Sequence, residues 1–508
     1  MNRIPNIKSI ILSVLLISLL CAFVAQAPQK NHIRIFLIGD STMADKPLVD
    51  NPEHGWGQIF PMFFSKNVTV YNHARNGRST KSFIDEGRWQ VIYDQLQPGD
   101  YVFIQFGHND AKKEDPNRYA PARPDYKENL RKFIRESREK QAIPILLTPV
   151  IRHDFNEKGE FIATHYDYPA AMKEVATEEN APLIDVFEKS KELVGGLGEV
   201  KSRPLYLAGV QDGQFRNWNK KKDHTHFTRT GAFQMAQIVV DGIKELKLPL
   251  AKELVELPAS PFVGAGKVVG LDYYFNNEWR PVKGKDSLER YHYIWEDTTN
   301  SGFSQLGRVI DWLGADLDTL QSPPTDSVLR HFSVYIIVDP DTPKETKEPH
   351  IISDADIAVI KRWVEQGGRL VLLANDNGNC EFEHLNKLAT EFGIHFNEDN
   401  NFMVKNDNYD MGRITKFPKH PAFKGVDHIF IKEVSSLKTQ PPAKPLLTAN
   451  GIIVMATARY GKGCVVAVGD PWLYNEYFDN RRLPEGYENW DAGVAMFRWL
   501  LSEAPKIY

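Results

Sequence analysis

Ser41 stands in the stretch RIFLIGDSTMADK, residues 34–46, directly after an apolar run and a glycine. Ile35 to Ile38 read as a short buried strand, and Gly39 lets the backbone turn sharply at its end. Gly-Asp-Ser is also ordinary turn chemistry. A serine at the mouth of a strand becomes a nucleophile only if the chain also supplies a base, a group to orient the base, and an oxyanion site.

The stretch KKDHTHFTRTGA, residues 221–232, supplies the base. Asp223 and His226 lie three apart, just before a helix that Thr228 could cap. In a turn or first helical winding, residues three apart face the same way. His226 can then point at Ser41 while Asp223 holds the other ring nitrogen and stabilises the imidazolium. His224, adjacent to Asp223, cannot easily use it in that manner. Asp223, His224 and His226 are also possible metal ligands. No further Cys/His pair at zinc-like spacing accompanies them, so neither a metal nor a cofactor is expected. Two stretches offer an oxyanion site. In ARNGRST, residues 74–80, Gly77 lets a backbone N–H come close to a substrate. In FGHND, residues 106–110, Asn109 offers a side-chain amide, with His108 beside it as a substrate contact.

These loops need a sheet to gather them. Short apolar runs at Ile33–Ile38, Val68–Tyr71, Tyr101–Gln105, Ile143–Thr148 and Leu183–Val186 alternate with helical patterns such as Asp125–Lys140 and Pro169–Asn180. Alternation of this kind reads as an α/β unit with a parallel sheet. Such a sheet collects its binding loops at the carboxyl ends of its strands. The unit closes with a helix from Thr230 to Leu246, whose apolar residues fall on one stripe.

The four blocks GDSTMA (39–44), NGRST (76–80), GHND (107–110) and DHTHFT (223–228) resemble, in this order, the SGNH or GDSL-type hydrolases. They are most similar to the rhamnogalacturonan acetylesterases within that superfamily. The resemblance covers residues 33–246. It implies a flavodoxin-like three-layer fold and attack by Ser41 on an acetyl carbonyl. The oxyanion is then held by the N–H groups of Ser41 and Gly77 and the Asn109 side chain. His226 is implied as base and then acid, with Asp223 behind it. No Gly-x-Ser-x-Gly elbow surrounds Ser41, which argues against the α/β-hydrolase alternative. Another acetylated glycan, a lipid ester, or a polysaccharide-binding protein with relic machinery are the competing readings.

The chain of 508 residues, 42% hydrophobic and 25% charged, is globular and long enough for several domains. Arg3 and Lys8 precede the apolar run Ile10 to Val24, and Ala25-Gln26-Ala27 follows, as in a secretory signal peptide. A lipoprotein anchor at Cys21 is the secondary reading, weakened by Leu20 before it. Removing residues 1–27 leaves 60 basic against 66 acidic residues, a net of −6. No long basic run is present, so nucleic acid is not expected as a partner. No other stretch could cross a bilayer, and an exported protein acting on acetylated polysaccharide is expected. Only Cys380 and Cys464 remain, too few for a disulfide scaffold.

The expected organisation is an esterase domain at 28–248, a linker at 249–265 rich in Pro, Gly and small residues, and a second α/β domain at 266–508. The second domain shows strands at Val268–Asp272, Ser333–Val338, Arg369–Ala374 and Cys464–Val468. It loosely resembles class-I glutamine amidotransferase-like domains, which implies a second flavodoxin-like fold. Asn375 and Asp376 stand where the amidotransferase cysteine is expected, so that chemistry is read as absent. Trp279, Tyr293 and Trp295 lie in an aromatic-rich insertion after the domain's first strand. Packing against the esterase domain is the favoured reading for them, and sugar contact the alternative.

Overall fold

The computed structural model describes residues 32–508, except 163, 166, 217, 219–222, 259, 260, 476, 480 and 481. The expected signal peptide and Cys21 lie outside the described residues. Two compact units are formed. The first comprises the described residues up to Asp45, with Gly55–Ser202 and Gly231–Glu256, and the second Lys46–His54, Arg203–Thr230 and Leu257–Tyr508.

The first unit holds five strands: β1 (Ile33–Gly39), β2 (Val68–Asn72), β3 (Tyr101–Gln105), β4 (Ile143–Leu147) and β5 (Leu183–Ile184). They pair in parallel in the order β2-β1-β3-β4-β5, the strand order of flavodoxin-like folds. A sheet covered on both faces needs apolar side chains in both directions, and Ile35 to Ile38 and all of β3 are buried accordingly. Phe36, Ile38, Val102 and Ile104 face a core with Phe83, Trp89, Leu130 and Phe133. The closing helix, Arg229–Glu245, buries Ala232, Met235, Ala236, Val239, Val240 and Ile243. A Cβ at Gly242 would lie 2.4 Å from Ile184 Cγ2, so glycine brings this helix close to β5.

The second unit is built on a nine-stranded sheet. Its parallel part contains β6 (Val268–Asp272), β9 (Asp316–Leu320), β10 (Val334–Val338), β11 (Arg369–Leu373) and the strand Gly463–Val468. Across the sheet these run β9, β6, β10, β11, then 463–468. Beyond the last, the antiparallel strand Ile452–Tyr460 extends the sheet, and Ala443–Ala449 pairs with it. Val334, Ile336 and Val338 face one core while Tyr335 and Ile337 face the other. A hairpin of β7 (Trp279–Pro281) and β8 (Leu288–Arg290) follows β6.

The units change over between Glu256 and Leu257, within the stretch 249–265, but the grouping of two earlier segments departs from the expected organisation. Segments 46–54 and 203–230, which the sequence assigns to the esterase domain, group with the C-terminal half. Pro249–Glu253 forms a 3-10 turn with Leu250 fully buried, rather than a loose connection. The strand β9 escapes a reading by hydrophobicity because DLDTL alternates acids with apolar residues, yet all five residues are buried.

Candidate active site

Ser41 sits in the turn that leaves β1. A Cβ at position 39 would lie 2.7 Å from the Gln105 carbonyl oxygen and 2.9 Å from Met43 Sδ, so glycine is required where the chain turns off the strand. Asp40 is buried, and its Oδ1 accepts from Thr42 N at 2.9 Å and Thr42 Oγ1 at 2.8 Å. Gln105, on β3, donates to Thr42 Oγ1 at 2.7 Å and accepts from Trp56 Nε1 at 2.8 Å. Both neighbours of Ser41 are thereby fixed to the sheet, while Ser41 itself is half-buried.

The two oxyanion candidates follow the neighbouring strands. Gly77, after β2, has φ +75°, the left-handed region that favours glycine. Asn109, after β3, is buried and donates through Nδ2 to the Arg78 carbonyl at 3.1 Å. Asp110 joins the two loops: its Oδ1 accepts from Thr80 N at 2.9 Å and Thr80 Oγ1 at 2.5 Å. Burial pushes the Asp110 carboxyl up to about 7, against the pull of the Thr80 hydrogen bonds. His108 is buried with Nε2 2.9 Å from the Val150 carbonyl oxygen, so it is a packed wall residue. Ser41, Gly77 and Asn109 all belong to the first unit, on loops tied to one sheet edge.

Asp223 and His226 belong to the second unit. Asp223 Oδ2 lies 2.7 Å from His226 Nδ1, and its Oδ1 accepts from the backbone N–H of Thr225 at 2.8 Å and of His226 at 2.9 Å. The carboxylate is thus oriented by its own turn before it orients the ring. Partial burial opposes its charge, but the His226 hydrogen bond and charge and the two amides outweigh that cost. They hold Asp223 well below the usual carboxylate range. Each side chain is roughly a quarter exposed, 27% for Asp223 and 26% for His226, leaving the ring accessible. Thr228 Oγ1 donates to the Pro204 carbonyl at 2.7 Å. Glu53, which no short-range pattern marks, lies 4.0 Å from His226 Nε2 and pairs with Lys46 at 2.5 Å.

The aromatic candidates separate. Tyr293 is fully buried, and its hydroxyl accepts from Trp472 Nε1 at 2.9 Å. Trp295 is buried and donates to the Asp318 carbonyl at 3.1 Å. Neither offers a ring face to a sugar, and both are core residues of the second unit. Trp279 is 50% exposed on the β7–β8 hairpin, with Arg290 stacked 5.1 Å from its ring. Cys380 and Cys464 are free and buried, and burial pushes both thiols up, which is the opposite of an activated nucleophile. Among the described residues, two groups hold ligand-type atoms within 4.8 Å of one another: Glu278, His292 and Asp339, and Glu381, Glu383 and His384. In the first, His292 Nδ1 is bonded to Glu278.

Residues 37–232 match the GDSL-like lipase/acylhydrolase family. The chain belongs to that family, and it is a carboxylic ester hydrolase. It is similar to the rhamnogalacturonan acetylesterase RhgT of Bacillus subtilis, with 41% identity over 227 residues that cover 44% of this chain and 96% of that protein. A second Bacillus subtilis protein, YesY, named a probable rhamnogalacturonan acetylesterase, is 42% identical over 226 residues, covering 44% and 98%. The crystal structure of Bacillus subtilis YxiM is 29% identical, covering 43% of this chain and 58% of that one, with a TM-score of 0.37.

Proposed function

We propose that this chain removes acetyl groups from rhamnogalacturonan, a pectic polysaccharide, through an acyl-enzyme on Ser41. The observation that carries this reading is the Asp223–His226 pair, 2.7 Å apart and set by the amides of its own turn. The names of RhgT and YesY supply the substrate class. In the first step, Ser41 Oγ attacks the acetyl carbonyl carbon and gives its proton to His226 Nε2. The N–H groups of Ser41 and Gly77 and the Asn109 amide take up the negative charge on the carbonyl oxygen. Collapse breaks the ester bond, and His226 returns the proton to the departing sugar oxygen. Water then attacks the acetyl-serine with His226 as base, releasing acetate and restoring Ser41.

The protein is read as exported, with residues 1–27 as the signal peptide and an esterase region at 28–248. The C-terminal region, from 266 on, is read as a non-catalytic flavodoxin-like domain. The order β9, β6, β10, β11, 463–468 supports that fold reading, because in chain order it is second, first, third, fourth, fifth. The test is acetate release from acetylated rhamnogalacturonan, acetylated xylan and small aryl acetates. Rhamnogalacturonan is expected to be the best substrate. Preferential deacetylation of xylan would replace the substrate while keeping the chemistry.

A further inference from the structure

The base-bearing loop is held from both sides by the C-terminal half of its own unit. Arg229, three residues after His226, opens the helix Arg229–Glu245. Its Nε donates to Asp311 Oδ1 at 3.0 Å, and Nη1 to the Gly314 carbonyl at 2.9 Å. Nη2 donates to the Ala315 carbonyl at 3.1 Å and to Asp316 Oδ1 at 2.7 Å. The arginine fork is therefore filled by one corner, where the helix Ser304–Trp312 ends and β9 begins. That corner turns through Gly314 at φ +93°, where a Cβ would also meet Phe262 at 2.7 Å.

The same corner reaches the residue next to His226 by a second route. Asp311 Oδ1 is 2.7 Å from His54 Nε2, and the His54 backbone N–H donates to the Phe227 carbonyl at 2.9 Å. Further along, Asp50 N donates to the Leu317 carbonyl at 2.9 Å, and Arg216 pairs with Asp318. Asp311 is 2% exposed, so its charge depends on the Arg229 guanidinium and the His54 hydrogen bond. Burial opposes the charge on Asp311, yet His54 and Arg229 pull its carboxyl down to about 2. These four hydrogen bonds fall on a side chain only three residues from His226, at the point where the base-bearing loop enters the helix Arg229–Glu245. An arginine whose planar guanidinium donates to several fixed acceptors is held in direction as well as in position.

We propose that Arg229 is a positioning residue for His226, and that the 311–316 corner with His54 forms a clamp through which the C-terminal half sets the general base. The inference rests on His226 being the base, as read above. The test uses the full chain and steady-state hydrolysis of 4-nitrophenyl acetate across pH, with Arg229→Met, Arg229→Lys, Asp316→Asn and His226→Ala in parallel. A misplaced base affects turnover, so Arg229→Met is expected to lower kcat about a hundredfold with KM within about twofold of the parent. Arg229→Lys keeps the charge without the fork and recovers part of the loss. The limb of the kcat/KM profile that reports the base should shift in both. Asp316→Asn, which removes one acceptor charge and keeps the shape, provides a folded variant if Arg229→Met does not fold. Its expected loss is about fivefold in kcat. Circular dichroism checks folding. A folded clamp variant with parental kcat and pH profile, while His226→Ala is inactive, overturns the clamp alone. An active His226→Ala removes the base assignment beneath it.

Discussion

The proposed nucleophile side and the proposed base side of this esterase are built in opposite ways. Ser41, Gly77 and Asn109 each follow a strand of one small sheet, and their supports come from adjacent loops: Thr42 to Asp40, Gln105 to Thr42, Thr80 to Asp110. Asp223 and His226 are oriented by their own turn, but that turn is anchored to a corner about ninety residues further along the chain, through Arg229, Asp311 and Asp316. A sheet edge makes geometry from local chain order. A loop without a strand beneath it must borrow rigidity from contacts that are remote in sequence.

The largest effects test whether the two sides act as one machine. Ser41→Ala and His226→Ala should each lower kcat by about a millionfold if the proposed triad acts as a unit, since losing one member disables it. His224→Ala should cost far less, because the Asp223 oxygens serve the ring and amide of His226 and the amide of Thr225. Acetate release under saturating aryl acetate is the measurement. Equal losses for the two histidines would break the Asp-x-x-His assignment.

The same contrast explains what could be read in advance. The strands β1 to β4 and the helix 229–245 follow from apolar runs and a single stripe, because burial against a sheet imposes those periods directly. Ser41, Gly77 and Asn109 stand out because they punctuate strand ends. Arg229 was visible only as a residue of the base block, since its acceptors on Asp311, Gly314, Ala315 and Asp316 lie more than eighty residues further along the chain. Tyr293 and Trp295 misled for a related reason. Aromatic residues mark a binding face and a core equally well, and it is burial, with the hydrogen bonds from Trp472 to Tyr293 and from Trp295 to Asp318, that separates the two.

Asp223→Asn sharpens the base side. An asparagine can still accept from Thr225 N and His226 N, so the turn survives. If its amide then faces Nδ1, that nitrogen must become the acceptor and the proton moves to Nε2. A protonated Nε2 cannot take the serine proton, and kcat should fall about ten-thousandfold with little change in the circular dichroism spectrum. A loss of tenfold or less would mean that the turn, and not the carboxylate charge, is what His226 needs.

On the nucleophile side, Asn109→Ala should reduce kcat by about a hundredfold to a thousandfold and leave KM nearly unchanged, because an oxyanion donor acts on charge that appears in the transition state. A change in KM alone would recast Asn109 as a substrate-binding residue and leave the oxyanion to backbone donors.

Asp110→Asn carries the smallest effect and isolates the loop tie from the chemistry. The folded protein holds the Asp110 proton up to about pH 7, whereas an ordinary Asp releases it near 3.8. As pH rises between those values the unfolded state loses the proton first, so this group's contribution to stability falls with pH and levels off above about 7. Asparagine keeps an oxygen for Thr80 N and Thr80 Oγ1 and has nothing to ionise. The melting temperature of Asp110→Asn relative to the parent should therefore rise between about pH 5 and pH 8, with kcat altered by less than about tenfold. A difference that is flat with pH would place the ionised carboxylate in the native state at both values, with the Thr80 hydrogen bonds outweighing burial. A steep fall in kcat at unchanged stability would instead put Asp110 among the groups that set Asn109 and Gly77, making the nucleophile side as dependent on a buried charge as the base side is on Asp311.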